Sequence, residues 1–341
     1  MKKSAVLILT HFINQNIVDL FNRLKAESPA GYDIFLVMNL GEDEVARPDG
    51  TEALGKSLYL TNHAKLLSLP YPEKCKREGW SGKGWDFNDG NAGVLVLIFF
   101  LEHSEYDYYW IVEYDVHYEG RWNVLFERFS QSRADFLATM VNDATADPKK
   151  LNWIPPLRDE KGQKPSPDEA ILSFMPLHRI SRRLLNALND AYKQGWGGHH
   201  EFVPGTLAKR LEYEIEDIGG TGPYAKPHNK NVFYFGNLKR WDFSPGTFVF
   251  RPSFKRARKH PDTLWHPVKP AGSYFNHHPS KKATTPYGWA KSIRKFVYFN
   301  LSITLWFMFR WRPLESSPIP EGAYDLKAYE KPRREGARKM A

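Results

Sequence analysis

The pattern of apolar positions in the first forty residues predicts a β-α-β unit. Residues 4–10 are almost uniformly apolar, which is typical of a buried strand. Residues 11–25 carry apolar side chains at helix spacing, and 33–38 form a second apolar run that ends before Asn39. Because the helical crossover places two such strands in parallel, the opening predicts an α/β fold with a mostly parallel central sheet. Ligands of such sheets bind at the carboxyl ends of the strands, where His11 falls.

The same analysis predicts further elements in the middle of the chain. Helices are expected at 91–101, 122–129, 176–192 and 206–216, and strands at 108–116 and 134–139. The helix at 176–192 is inferred from the spacing of its Leu and Ile residues, which gives one apolar face. Two loops are predicted, one rich in glycine at 79–85 and one rich in Pro, Lys and Asp at 151–167.

An apolar, aromatic strand ends in alternating polar residues at Glu113, Asp115 and His117. Alternate residues of a strand point to one face, so these side chains are expected to lie together. Carboxylate and imidazole groups at a strand end suit Mn²⁺ or Mg²⁺ and the diphosphate that such a cation neutralises. The alternative is an ordinary strand whose exposed face carries charge where it meets solvent.

A second candidate segment is Gly197-Gly198-His199-His200-Glu201, just before a predicted helix. Glu201 is the expected general base on an acceptor hydroxyl, and His199 and His200 either tune it or bind the acceptor. Trp85, in the glycine-rich loop, is a further candidate for acceptor binding. The alternative is a polar loop before a capped helix.

A third candidate segment is His266-Pro267-Val268-Lys269. His266 is a candidate metal ligand, and Lys269 is a candidate clamp on a diphosphate, because lysine acts as a point charge toward phosphate. The alternative is a surface turn flanked by prolines.

The excess of positive charge is concentrated in the last third of the chain. The net charge is +9, and Asp262 is the only acid between Asp242 and Glu315. A region so rich in Lys and Arg attracts anions such as nucleotide phosphates or the lipid headgroups of an anionic membrane surface. The apolar segment 296–309 is shorter than the about 20 residues that a bilayer span requires. It is expected either to lie in the membrane interface or to pack on the globular domain.

The single cysteine, Cys75, excludes an intramolecular disulfide and a cysteine-rich metal site. One cysteine in 341 residues fits a reducing compartment. The expected location is therefore the cytoplasm, with the basic C-terminal part as the candidate for peripheral attachment to the inner face of the membrane.

The order of these segments resembles bacterial GT-A-type nucleotide-sugar glycosyltransferases over roughly residues 4–270. The resemblance implies a GT-A-like, Rossmann-like catalytic domain at 1–275, followed by a basic, helical or irregular extension at 276–341. It implies the following roles: Glu113 and Asp115 at a Mn²⁺ or Mg²⁺ ion and the donor diphosphate, His266 at the metal, Lys269 on the diphosphate, and Glu201 as base in an inverting transfer. Two further candidates rest on their positions at strand ends, His11 at the donor diphosphate and His117 at the metal. The chain departs from the family's Asp-x-Asp motif at Glu113. Some GT-A families use basic residues instead of metal, so metal dependence stays open.

The expected function is transfer of a sugar from a nucleotide-sugar donor to a glycan or a lipid-linked acceptor in surface polysaccharide synthesis. A basic nucleic-acid-binding protein fits the pI of 9.3. However, the chain has no recognisable helix-turn-helix, zinc-finger or RNA-binding motif, so no nucleic-acid partner is expected. A metal-dependent phosphoesterase built on Asp115 is the third class, although such enzymes collect more His and Asp near several strand ends.

Overall fold

The structure is a computed structural model that describes residues 2–40, 51–72, 92–146, 157–236, 246–250, 254, 256–257 and 260–269. The strands are β1 Ser4–Thr10, β2 Tyr32–Asn39, β3 Leu58–Thr61, β4 Tyr108–Glu113, β5 His117–Tyr118, β6 Phe136–Asp143, β7 Ile171–Ser181, β8 Ile215–Asp217 and β9 Leu264–Trp265. The α-helices are α1 Gln15–Glu27, α2 His63–Leu67, α3 Ala92–Glu102, α4 Trp122–Arg128, α5 Arg182–Lys193 and α6 Val203–Arg210. Short 3-10 turns lie at Glu52–Ser57, Ala144–Ala146 and Pro227–Asn229.

Seven of these strands form one sheet in the order β3-β2-β1-β4-β7-β6-β8. The pairs β3–β2, β2–β1, β1–β4 and β6–β8 are parallel, and β7 runs antiparallel to both β4 and β6. Strands β5 and β9 form a separate antiparallel pair. The prediction of an α/β fold with a mostly parallel central sheet flanked by helices is confirmed.

The predicted β-α-β opening is confirmed, with a later start for its helix. Every residue of β1 is buried, as expected of a strand inside a sheet covered on both faces. Helix α1 begins at Gln15 because the side chain of Asn14 accepts a hydrogen bond from the Ile17 amide at 3.1 Å. Its buried face consists of Ile17, Phe21 and Leu24. The predicted helices at 91–101 and 122–129 are confirmed as α3 and α4.

The helix predicted at 176–192 is wrong in its first third. Strand β7 continues to Ser181, and all of its residues are buried because it lies between β4 and β6 in the sheet. A strand that is buried on both faces does not alternate apolar and polar residues. Its apolar positions can therefore match the spacing of an amphipathic helix. The helix begins only at Arg182, where the Ser181 hydroxyl accepts a hydrogen bond from the Leu184 amide.

Two further predicted boundaries are wrong. The strand expected at 108–116 ends at Glu113, because the Val116 amide bonds to the Glu113 carbonyl at 3.0 Å and closes a turn. The helix expected at 206–216 occupies Val203–Arg210, and the chain then enters β8, which pairs with β6. His117 therefore belongs to a different strand from Glu113.

Several predictions fall on residues that the structure does not describe. They concern the loop at 79–85, the segment at 296–309, the boundary between 275 and 276, and the basic C-terminal extension. The division into two domains therefore stays a prediction. Among the helices that the structure does describe, none has the length and apolar character needed to cross a bilayer.

Candidate functional site

Polar side chains gather at the sheet edge where β1 and β4 end. The two strands are parallel and pair Leu9 with Glu113, so His11 and the turn after Glu113 leave the sheet side by side. Strand β7 reaches the same edge from the opposite direction, since Val112 pairs with Leu177 and the first half of β7 extends beyond β4. This is the edge at which parallel sheets bind ligands.

Two carboxylates and an imidazole converge at this edge. His266 Nε2 lies 3.4 Å from Asp115 Oδ1 and 3.5 Å from Glu113 Oε2. Among the described residues, these three form the one group of at least three potential ligands whose atoms all lie within 4.8 Å of one another. Asp115 and His266 are buried, and Glu113 is partly exposed. The group is therefore open on the side of Glu113.

His266 reaches the carboxylates because backbone contacts hold its strand on both sides. On one side β9 pairs with β5, so that Trp265 lies opposite His117. On the other side the His266 amide donates to the Thr247 carbonyl at 2.9 Å. The Val268 amide donates to the Asp115 carbonyl at 2.8 Å, which ties the 266–269 segment directly to the turn after β4.

A backbone carbonyl also fixes the orientation of the His266 ring. Nδ1 lies 2.9 Å from the carbonyl oxygen of Val249, so Nδ1 must carry the proton that it donates. Nε2 then points to the carboxylates. A carbonyl that holds one ring nitrogen is the usual support of a metal-binding histidine.

The charges of the group depend on one another. Burial lowers the pKa of His266, but Asp115 and Glu113 outweigh it and raise the pKa to about 9. Burial likewise opposes ionisation of Asp115, yet His266 and Lys269 hold its pKa below the ordinary value. In the absence of a cation, the carboxylates therefore hold a proton on His266.

The residues fit a divalent cation. Asp115 Oδ1 is buried, and no hydrogen bond reaches it from the described residues. Without a cation, protonated His266 compensates this oxygen from 3.4 Å away, and a divalent cation would take over that role. Two carboxylates with one imidazole can hold a divalent cation, and Mn²⁺ and Mg²⁺ are the predicted candidates. The predicted metal ligands Asp115 and His266 lie in this group, and Glu113 joins them.

The predicted diphosphate ligands Lys269 and His11 border the same group. Lys269 Nζ lies 3.4 Å from Asp115 Oδ2 and 5.8 Å from the centre of the Tyr114 ring. The ring of His11 lies 6.2 Å from the same tyrosine. Partial burial and then the charge of Lys269 lower the pKa of His11. Tyr114 thus lies between the two predicted donor ligands.

The predicted catalytic loop is buried. His199, His200 and Glu201 are all buried. His199 Nδ1 accepts a hydrogen bond from the Glu201 amide at 3.3 Å and lies 3.6 Å from Glu201 Oε2. Burial, and then His200, lower the pKa of His199 well below its ordinary value. The ring is therefore neutral at pH 7 and does not cancel the charge of a Glu201 carboxylate.

Strand β7 connects the two groups. Ser173 donates to the Glu201 carbonyl from its hydroxyl at 2.6 Å and from its amide at 3.2 Å. The next residue, Phe174, packs on His266 with 5.2 Å between the ring centres. Two consecutive residues of one strand thus hold the Glu201 loop and support the metal-ligand candidate, so both groups lie at the same edge.

Two predicted site residues remain apart from these groups. His117 Nε2 lies 3.0 Å from Glu119 Oε1, and its ring is not part of the group around Asp115. Its role as a metal ligand stays a prediction. Trp85 lies outside the described residues, so its role at an acceptor also stays a prediction.

Sequence analysis missed Tyr114, Phe174 and the Val249 carbonyl. Tyr114 stands between the two acids, where strand alternation predicts the opposite face, and the turn after Glu113 brings its ring to the site instead. The other two carry no local signal, because they reach the site only through pairing between distant segments.

Comparison with known proteins leaves the family open. No protein-family model matches the chain, and no curated protein matches it in sequence. Among the solved structures that match is the inositol-1-phosphate CTP transferase from T. maritima, with 11% identity and a TM-score of 0.30. The match covers 64% of this chain and 84% of that chain. A similarity this low carries no argument about activity.

Proposed function

We propose that this protein transfers a sugar from a nucleotide-sugar donor to a glycan or a lipid-linked acceptor, as in surface polysaccharide synthesis. The proposal is carried by the group of Glu113, Asp115 and His266 at the carboxyl edge of a mostly parallel sheet, with Lys269 beside it. Acids alone would repel a diphosphate. Acids with a bound cation and an adjacent lysine attract one.

Each part of the group has a distinct role in this proposal. Glu113, Asp115 and His266 hold Mn²⁺ or Mg²⁺, which when bound offsets the charge of the diphosphate. Lys269 contributes a further positive charge on the open side, and His11 and Tyr114 border the same space. The Val249 carbonyl keeps His266 Nε2 directed at the carboxylates, so the ligands are in place before a donor binds.

Glu201 is the proposed general base. The bond between the sugar and the diphosphate breaks, a bond forms between the sugar and the acceptor oxygen, and Glu201 takes the acceptor's proton. This role applies to an inverting transfer, in which the diphosphate leaves with the electron pair of the broken bond. The neutral His199 suits such a base, because its Nδ1, which lies 3.6 Å from Glu201 Oε2, accepts a hydrogen bond and therefore carries no proton that could pair with the carboxylate.

A thermal-shift series tests the proposal. UDP, GDP, CDP and the corresponding nucleotide sugars are each added with and without Mn²⁺ to the wild-type protein and to Asp115→Ala. One nucleotide is expected to stabilise the wild type only with the metal, by about 2.7 kcal/mol at a hundred times its Kd. The variant should lose this gain. Absence of any nucleotide effect, or an undiminished effect in Asp115→Ala, would contradict the proposal.

A further inference from the structure

The loop that carries Glu201 is held by a cluster of four side chains that have no role in the proposed metal and donor site. The cluster, here named the clasp, consists of Asp159, Glu160, Trp196 and Arg210. Glu160 Oε2 accepts hydrogen bonds from Trp196 Nε1 at 2.7 Å and from Arg210 Nη1 at 3.1 Å. Arg210 Nη2 lies 3.3 Å from Asp159 Oδ2, so the guanidinium bridges two neighbouring acids.

The clasp joins the two ends of one continuous stretch of chain. Trp196 lies just after α5, Glu201 lies five residues later, and Arg210 is the last residue of α6. The guanidinium carbon of Arg210 lies 4.9 Å from the centre of the buried Trp196 ring. Both ends of the stretch therefore bind Glu160 and each other, which removes conformational freedom from the loop between them.

The acidic pair itself lies on a rigid turn. Asp159 Oδ1 accepts the amides of Lys161 at 3.0 Å and of Gln163 at 2.8 Å. The Arg158 amide donates to the Gly197 carbonyl at 2.9 Å, and the Gly197 amide donates back to the Arg158 carbonyl at 3.1 Å. The turn is thus bonded to the loop through the backbone as well as through the clasp.

Gly198 shows how closely the two segments fit. Its φ is +135°, a conformation that side chains rarely adopt, and a Cβ there would lie 2.9 Å from Leu157 Cα. His199 follows directly, with Nδ1 3.6 Å from Glu201 Oε2. A shift of the 157–163 turn would therefore displace the backbone at Gly198, in the same loop as the proposed base Glu201.

We propose that the clasp positions Glu201, with Arg210 as the residue that closes it. This inference depends on the proposed function, because it assumes that Glu201 accepts the acceptor's proton. Arg210 touches neither Glu201 nor the metal-ligand group among the contacts described, so it acts through Trp196 and the turn. Small displacements of a reacting group cost about a hundredfold in rate, and a positioning residue is expected to lower kcat rather than donor binding.

The chain offers a matched control in Arg183. This arginine also pairs with an aspartate, Asp135, and its guanidinium carbon lies 3.9 Å from the centre of the Tyr213 ring. It lies in the first turn of α5, after the far end of β7, at the sheet edge opposite Glu201. Arg183→Ala removes the same kinds of contact away from the proposed base.

The experiment compares Arg210→Ala and Arg183→Ala with wild type in two assays. Two-dimensional NMR of the histidine ring nitrogens reports on His199 without any assumption about activity. Steady-state kinetics separate kcat from the donor KM. Arg210→Ala should shift the His199 resonances and lower kcat by about 10–100-fold with an unchanged donor KM. Arg183→Ala should change neither.

Unchanged His199 resonances in Arg210→Ala would overturn the inference, whatever the enzyme does. Equal losses of kcat in the two variants would also overturn it, because a general loss of stability would then account for both. Failure of the proposed function is a separate result, in which the wild type itself binds no nucleotide with Mn²⁺.

Discussion

His266 Nε2 lies 3.4 Å from Asp115 Oδ1, which joins two segments far apart in the chain at one sheet edge. The contact depends on backbone pairing rather than on the two side chains alone. Strand β9 pairs with β5, and the Val268 amide bonds to the Asp115 carbonyl. The imidazole is therefore presented to the carboxylates by the fold.

Replacement of Lys269 by methionine should affect metal and nucleotide binding in opposite directions. Lys269 Nζ lies 3.4 Å from Asp115 Oδ2, so it competes with a cation for that carboxylate. Mn²⁺ alone should bind Lys269→Met at least as tightly as wild type. A nucleoside diphosphate added with Mn²⁺ should bind about tenfold more weakly, a loss of about 1.4 kcal/mol. Titration calorimetry measures both, and equal weakening of the two would contradict a role at the diphosphate.

Replacement of Glu201 by glutamine should abolish turnover and spare donor binding. The amide keeps the shape of the side chain but cannot accept the acceptor's proton. General-base catalysis typically contributes 10²–10⁴-fold, so kcat should fall by about that factor. The Kd of the nucleotide with Mn²⁺ should stay within about twofold, since the metal-ligand group is intact. Full turnover in Glu201→Gln would remove Glu201 from the mechanism.

Replacement of Gly198 by alanine should disturb the loop before Glu201, and the adjacent glycine provides the control. A Cβ at Gly198 meets Leu157 Cα at 2.9 Å, whereas a Cβ at Gly197 has nothing within 4 Å. The positive φ of Gly198 adds about 1–3 kcal/mol of strain. Gly198→Ala should lower both thermal stability and kcat, and Gly197→Ala should lower neither. Equal behaviour of the two variants would contradict the close fit of Leu157.

Stability should fall in mild acid because of a buried histidine. Burial lowers the pKa of His178 to about 3, although its Nδ1 donates to the Met175 carbonyl at 2.7 Å. The unfolded chain takes up this proton near pH 6.5, so it binds more protons than the folded state between there and pH 3. The free energy of unfolding should therefore decrease as pH falls below 6.5, by up to about 1.4 kcal/mol per pH unit.

His178→Asn tests this origin of the acid sensitivity. Asparagine keeps a donor toward the Met175 carbonyl and does not titrate. Urea unfolding from pH 7.5 to pH 5 should show a shallower decrease for the variant than for wild type. Identical slopes would show that other groups cause the loss of stability.

The sequence predicted most of what lies within single elements. The β-α-β opening and α3 are predicted by the spacing of apolar residues. Glu113 and Asp115 stand out because the apolar run of β4 ends there. The boundaries that failed depend on neighbours in space. Strand β7 looks helical because β4 and β6 bury it on both sides, and the turn at Tyr114 is closed by a hydrogen bond to Glu113.

The roles of the predicted site residues stay predictions, and the structure shows which of the described ones lie together. His266 was a candidate because a histidine precedes a Pro-Val-Lys run. Its partner Glu113 was expected at the diphosphate and lies in the potential metal-ligand group. His117 was expected beside Asp115, and its ring lies against Glu119. These differences come from the chain turn after Glu113, which no local periodicity reveals.

The most direct test of the account is the affinity for Mn²⁺ of wild type, Asp115→Asn and Asp262→Asn, measured by electron paramagnetic resonance. Asp262 is a suitable control because it is as buried as Asp115, at 6% exposure, and its φ of 53° tolerates asparagine. The account predicts that wild type and Asp262→Asn bind Mn²⁺ alike and that Asp115→Asn binds it at least about 100-fold more weakly. Equal Mn²⁺ affinity in all three proteins would contradict the proposed metal site.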